Sequence, residues 1–278
     1  MTEAPHPYDQ LTPDVVLDAL SSVGLWGDGR LMGLSSYENR VYQASLDEPV
    51  QGHAQVVAKF YRPGRWSDEA IGEEHEFAAE LAAAEVPVVA PLLLEGRTLH
   101  HHGGFAFSVS PRRGGRAPEL DDPEVLEWIG RFLARIHAVG AARPFKHRPA
   151  LNLQAFGIDS RDWLLEHQVL PLDVESAWRR TCDLALQAVA AHAPCLAGPE
   201  SGGIGLIRLH GDCHPGNILW TPDQGPHFVD LDDARTGPAV QDLWMLLSGE
   251  RAQRQRQLGA LLDGYGQFRE FDRRELAL

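Results

Sequence analysis

Lysine is almost absent from this chain. Of its 25 lysine and arginine residues, only Lys59 and Lys146 are lysines, so each lysine marks a place where arginine would not obviously serve. Cysteine is scarce as well. Cys182, Cys195 and Cys213 are odd in number and follow no CxxC spacing, which excludes a disulfide framework and predicts free thiols in a reduced, cytoplasmic protein. No apolar run approaches the roughly 20 residues that span a bilayer. The opening MTEAPHPYDQ has neither the basic end nor the apolar stretch of a signal peptide. Positive charge is in deficit: 39 acidic residues give a net charge of −14, which argues against nucleic acid or an anionic membrane as partner. Neither a Walker A pattern nor a GxGxxG loop occurs. The GxG of Gly203 and Gly205 precedes a strand, where a dinucleotide fingerprint would follow one.

What is present suits a globular protein. The 278 residues, 44% hydrophobic and 23% charged, allow one large domain or two modest ones with a real core. TPDVVLDALSSVGL (12–25) reads as a capped helix. GRLMGLSS, NRVYQASL and AQVVAKFYR read as three antiparallel strands with hairpin connections. Ser67 followed by Asp68 and Glu69 starts an alanine- and glutamate-rich helix running to about Glu85. VPVVAPLLL and FAFSVSP predict two further strands, with His100, His101 and His102 in a solvated hairpin tip between them. RRGGR (112–116) is a flexible connector. Asp122-Pro123 then caps a helix whose Val125, Ile129, Phe132, Leu133 and Ile136 share one face. Mostly helical sequence follows to about Ala193, with a loop around 147–158. LIRLH, NILW and HFVDL are three more strands, and helices run from about 238 to the end. This order predicts an α+β, two-lobed fold: an antiparallel β lobe over 1–110, a hinge near 108–116 and a mainly helical lobe over 111–278. A cleft between lobes is where a small-molecule site is expected.

The densest chemistry lies in LHGDCHPGNILW (209–220). Asp212 sits in the loop, Asn217 five residues on, and Asp230 thirteen beyond that, at the end of HFVD. A hairpin would bring Asn217 and Asp230 side by side, with Asp212 in the loop above. Such a set suits Mg²⁺, a hard cation that takes one or two carboxylates alongside substrate phosphates. Zinc bound by His210, Cys213 and His214 is disfavoured, because 213 and 214 are adjacent and no second Cys/His pair lies at zinc spacing. In the first half, Lys59 interrupts the apolar strand VVAKFY. A buried strand rarely holds a charge without a partner. The residue is either an edge-strand lysine snorkelling to solvent or a compact ammonium suited to phosphate binding, and the rarity of lysine favours the second.

HGDCHPGN followed by VDLDD resembles the catalytic and metal-binding loops of the aminoglycoside phosphotransferase and choline kinase superfamily, which shares the protein-kinase fold. SYENRVYQ, VVAKFYRPGRW and FVDLDDARTGPAVQDLWMLLSG are similar to its bacterial stress-response branch of serine/threonine protein kinases. The resemblance runs over nearly the whole chain. It implies that Asp212 accepts the proton of the acceptor hydroxyl and that Asn217 and Asp230 hold Mg²⁺, with Asp230 counted among the catalytic residues. It implies that Lys59 touches the ATP phosphates, that Glu74 (over Glu73 and Glu76) pairs with it, and that Ser36 lies in the turn covering the phosphates. Adenine is expected near Val109 to Pro111, with Ser110 as the named contact. Asp232 is a candidate second metal oxygen or a solvated carboxylate, and Asp242 is expected to brace the catalytic loop. The loop reads HGD where most eukaryotic protein kinases read HRD. Relatives continue for several helices past RRELAL, so C-terminal helices are expected to be lacking here. The implied function is an ATP- and Mg²⁺-dependent kinase of protein Ser/Thr hydroxyls, itself included, acting as a cytoplasmic monomer. A small-molecule kinase (of an aminoglycoside, choline or homoserine) and a non-catalytic ATP-binding regulator are the alternatives.

Overall fold

The computed structural model describes residues 7–192 and 203–278; Cys195 lies outside them. The chain divides into two compact units, 1–116 with 219–232, and 117–218 with 233–278. A boundary at 110/111 alone therefore misses one return of the chain: residues 219–232 join the first unit. Backbone bonding accounts for this, since Arg116 and Trp220 exchange hydrogen bonds, as do the 87–89 segment and Phe228.

The first unit is a five-stranded antiparallel sheet in the order β1-β2-β3-β5-β4, with β1 Gly27–Leu34, β2 Arg40–Val50, β3 His53–Phe60, β4 His100–His102 and β5 Phe105–Pro111. Alternation along β3 decides what each face does. Val56, Ala58 and Phe60 are buried and pack with Phe105, Phe107 and Val109 of β5 and with Val16, Ala19 and Leu20 of helix α1, Pro13–Ser21. Val57 and Lys59 therefore point to the opposite face. Helix α2, Asp68–Ala83, starts where Ser67 accepts a hydrogen bond from the Ala70 N–H, 3.2 Å, and it buries Ile71, Phe77 and Leu81. A two-stranded hairpin, β7 Ile218–Thr221 with β8 Gly225–Phe228, completes this unit from residue 219 onward.

Two expectations fail here for identifiable reasons. VPVVAPLLL makes only single bridges, Val88 to Phe228 and Leu94 to Arg97, because Pro87 and Pro91 lack the N–H that a ladder needs. The three histidines are not a loop tip but strand β4 itself, and His100 is buried against Phe107.

In the second unit, helix α3, Pro123–Gly140, is capped by Asp122, whose carboxylate accepts from the Glu124 N–H at 2.9 Å. Val125, Ile129, Leu133 and Ile136 are buried as their spacing predicts. Phe132 is only half-buried and stacks on Trp128 instead. Helix α3 crosses helix α7, Arg251–Tyr265, with two glycines in contact with backbone: a Cβ on Gly130 would lie 2.1 Å from the Leu261 carbonyl oxygen, and one on Gly264 would lie 2.0 Å from that of Glu127. Backbone cannot yield as a side-chain tip can. Gly264→Ala is expected to destabilise this unit by several kcal/mol, above the ~1–3 kcal/mol typical of overpacking, in spite of alanine's better helix propensity; unchanged chemical denaturation would refute the close crossing. The remaining elements are a π-turn at Gln154–Ile158, α4 Asp159–Glu166, α5 Leu172–His192, β6 Ile207–Leu209 paired with β9 Arg235–Gly237, and α6 Gln241–Trp244.

Candidate active site

The first unit gathers a charged cluster on the face of β3 opposite the apolar core. Lys59 Nζ lies 2.9 Å from Glu74 Oε1, 3.4 Å from Asp230 Oδ1 and 3.6 Å from Asp232 Oδ1. Its side chain is 15% exposed and that of Glu74 only 6%. Burial alone would favour the neutral amine, but Glu74, with Tyr61, Asp232 and Asp230, outweighs it and holds the pKa well above the usual lysine value. The ammonium also lies 4.8 Å from the centre of the Tyr61 ring. Among the three glutamates, the turn of α2 brings Glu74 to the lysine, while Glu76 is exposed.

Asp230 follows β8 and has φ +60°. A left-handed backbone is uncommon for any residue but glycine and is tolerated best by Asn and Asp. Its carboxylate is half-exposed. Asp232 is not a solvated carboxylate: its side chain is 4% exposed and lies between Lys59 and Arg65, whose Nη1 is 3.1 Å from Oδ2. Arg65 also approaches Glu38 at 3.8 Å, and Arg62 donates to Glu38 at 2.7 Å. Sequence reasoning passed over Arg65, although it sits in the PGRW stretch six residues after Lys59. Ser36 donates to the Asn39 carbonyl at 2.9 Å, so its hydroxyl closes the 36–39 turn between β1 and β2. Ser110 lies in β5 opposite Val57, and Ser108 opposite Lys59.

The second unit holds the HGD loop. Asp212 is joined to Asn217, whose Nδ2 donates to the Asp212 carbonyl oxygen at 2.9 Å and to Oδ2 at 3.2 Å. His214 Nδ1 accepts from the Gly216 N–H at 3.0 Å, and its Nε2 stands 3.6 Å from Asp212 Oδ2. Burial pushes the Cys213 thiol well above its ordinary pKa, so it is an inert core group. Gly211 explains the departure from HRD. It has φ +87°, and a Cβ there would lie 2.0 Å from the Asp233 carbonyl oxygen; an arginine cannot occupy this backbone.

Beneath the loop is Asp242, fully buried. Oδ2 accepts from the His210 N–H at 2.8 Å and from His137 Nε2 at 3.1 Å, and Oδ1 accepts from the Gly211 N–H at 2.8 Å. His137 Nδ1 in turn meets the Tyr265 hydroxyl at 2.9 Å. Burial alone would raise the Asp242 carboxyl; the hydrogen bonds and charge of His137, with His210 and the Gly211 N–H, reverse this and lower it below 3.8. A depressed folded-state pKa contributes stability above the unfolded value, lost as pH falls through the folded one. Asp242→Asn should lose the part of stability that vanishes below about pH 4 in the parent. It also turns an amide N–H₂ toward an N–H donor, at about 1–3 kcal/mol for each orphaned group. Acid titration of unfolding by circular dichroism checks this, and an unchanged profile would refute it.

The family model of the phosphotransferase enzyme family matches residues 31–278. The chain is 43% identical over 278 residues to stress response kinase A of Escherichia coli K12, covering 100% of this chain and 81% of that one. The chain belongs to the phosphotransferase enzyme family. It is 42% identical, at the same coverage, to the serine/threonine protein kinase RdoA of Salmonella typhimurium LT2. Among solved structures, an amicoumacin kinase in complex with AMP-PNP, Ca²⁺ and Ami superposes with a TM-score of 0.73 at 19% identity, over 97% of this chain and 80% of that one. A microcompartment-associated aminopropanol kinase gives 0.70 at 19%, over 94% and 82%. These two establish the α+β, kinase-like fold of this phosphotransferase. No helix among its described residues is long and apolar enough to cross a membrane.

Proposed function

We propose that this phosphotransferase is a cytoplasmic serine/threonine protein kinase that moves the γ-phosphate of ATP to protein hydroxyls, its own included. Asp212 accepts the hydroxyl proton and orients the oxygen for in-line attack. Lys59 holds the nucleotide phosphates from β3, with Glu74 fixing its direction. Ser36 and the 36–39 turn cover the phosphates, and adenine lies along β5 near Ser110. Each donor taken singly suits Mg²⁺: Asn217 spends its amide nitrogen on Asp212, which leaves its carbonyl oxygen available, and the Asp230 carboxylate is half-exposed. Asn217 and Asp230 would hold the metal, which would neutralise charge on the transferring phosphoryl.

The observation that carries this reading is 42% identity over 278 residues to a relative named as a serine/threonine protein kinase, in a chain that has Lys59, Asp212, Asn217 and Asp230. The test is transfer from γ-labelled ATP with a Ser/Thr-rich protein, an aminoglycoside and choline offered in parallel, with and without Mg²⁺. Mg²⁺-dependent labelling of protein is expected. Labelling of a small molecule alone would overturn the acceptor class, and no labelling at all would indicate an ATP-binding regulator.

A further inference from the structure

Behind the Lys59–Glu74 pair runs a chain of buried hydrogen bonds that the proposed chemistry does not use. His75, the next residue of α2 after Glu74, is 3% exposed. Its Nε2 lies 2.8 Å from the Tyr61 hydroxyl and its Nδ1 lies 2.9 Å from Thr98 Oγ1. The Tyr61 hydroxyl also meets Ser108 Oγ at 3.2 Å, and Ser108 is the residue of β5 directly opposite Lys59. Four segments are thus tied together: α2, the end of β3, β5 and the turn before β4.

Tyr61 has two contacts in this arrangement. Its ring faces the Lys59 ammonium at 4.8 Å, while its hydroxyl is fixed from both sides. Consecutive helical residues point about 100° apart, so one turn of α2 presents Glu74 to the lysine and His75 to the tyrosine. Any slide or rotation of α2 that parted Glu74 from Lys59 would also leave the buried His75 and Tyr61 polar groups without partners, which is costly away from water. Simple packing does not demand these polar side chains, since a phenylalanine and a leucine would fill similar volume without hydrogen bonds to satisfy.

We propose that His75 and Tyr61 are positioning residues, which lock α2 in the register where Glu74 meets Lys59 and so keep the phosphate-binding lysine set before nucleotide arrives. The proposal rests on Lys59 being a phosphate ligand. It makes the ion pair a standing feature of the fold, not one assembled by an outward-to-inward swing of the helix.

The test is a double-mutant cycle on AMP-PNP affinity, measured by calorimetry with Mg²⁺ on the full chain. In the parent, His75→Leu and Tyr61→Phe are each expected to weaken AMP-PNP binding about 5–10-fold, the size of a lost interaction of roughly 1–1.4 kcal/mol. His75→Gln, which keeps hydrogen-bonding groups, should recover most of the loss. In a Glu74→Gln background the same changes should have less than about a 2-fold effect, because there is no pair left to position. A merely structural role would give equal factors in both backgrounds, and that outcome overturns the proposal. Lys59→Met separates the two levels. If it binds AMP-PNP like the parent, the phosphate-ligand reading itself fails; if it binds weakly while His75 and Tyr61 variants bind normally, only the positioning proposal fails. Thermal unfolding of each variant confirms that folded protein is being compared.

Discussion

Asp212→Ala is expected to lower the rate of phosphotransfer by about 10²–10⁴-fold, the usual contribution of a positioned general base, while AMP-PNP affinity stays within a few-fold of the parent. The separation follows from where Asp212 sits. Its loop is held from below by Asp242 through the His210 and Gly211 N–H groups, and its carboxylate is partly exposed and accepts a hydrogen bond from Asn217 Nδ2. Truncation therefore removes a proton acceptor and one partner of the Asn217 amide; the bond from Asn217 Nδ2 to the Asp212 backbone carbonyl oxygen survives. Single-turnover transfer and calorimetry on the same preparation measure the two quantities. A variant that transfers at near the parent rate removes Asp212 from the chemistry.

Lys59→Met should produce the second large effect, on stability as well as turnover. Glu74 is 6% exposed and Asp232 4% exposed, and each faces this ammonium. Without it, negative charge is left buried with less compensation, a change that typically costs about 3–5 kcal/mol when a buried pair loses one member. Lys59→Arg keeps the charge, so it should recover most of the stability. It should not recover turnover, because a planar fork reaches the carboxylates in different places from a compact ammonium. The pair of variants thus separates charge from shape: denaturation midpoints should rank parent, Arg, Met, whereas both variants should be slow in phosphotransfer. An arginine variant with parental turnover would make the near-absence of lysine elsewhere in the chain a coincidence.

Much of this protein can be read from local chemistry. Thr12, Ser67 and Asp122 each accept a hydrogen bond from an N–H of the first turn of their helix, and capping depends on residues three or fewer apart. The alternation along AQVVAKF determined which side chains of β3 face the core, because side-chain direction reverses at every residue. The spacing from Asp212 to Asn217 placed both on one short loop, and the hydrogen bonds between them span five residues. VPVVAPLLL carries within its own residues, Pro87 and Pro91, the reason it forms no ladder.

Other features depend on contacts between distant segments and have no local signature. Which glutamate meets Lys59 is set by the rotation of α2 against β3, a packing outcome across 15 residues. The left-handed backbone of Asp230 and the burial of Asp232 between Lys59 and Arg65 arise only when residues 219–232 return to the first unit. By local pattern Asp242 is one more acidic residue near a helix start, and only the family resemblance marks it as a brace; folding places it under the loop 31 residues earlier and surrounds it with three donors. Most elements, their capping and the residue types that carry the chemistry follow from neighbours along the chain. Which charges meet and which are buried is set by folding, because low-dielectric surroundings and hydrogen-bond partners are supplied by segments far apart in sequence.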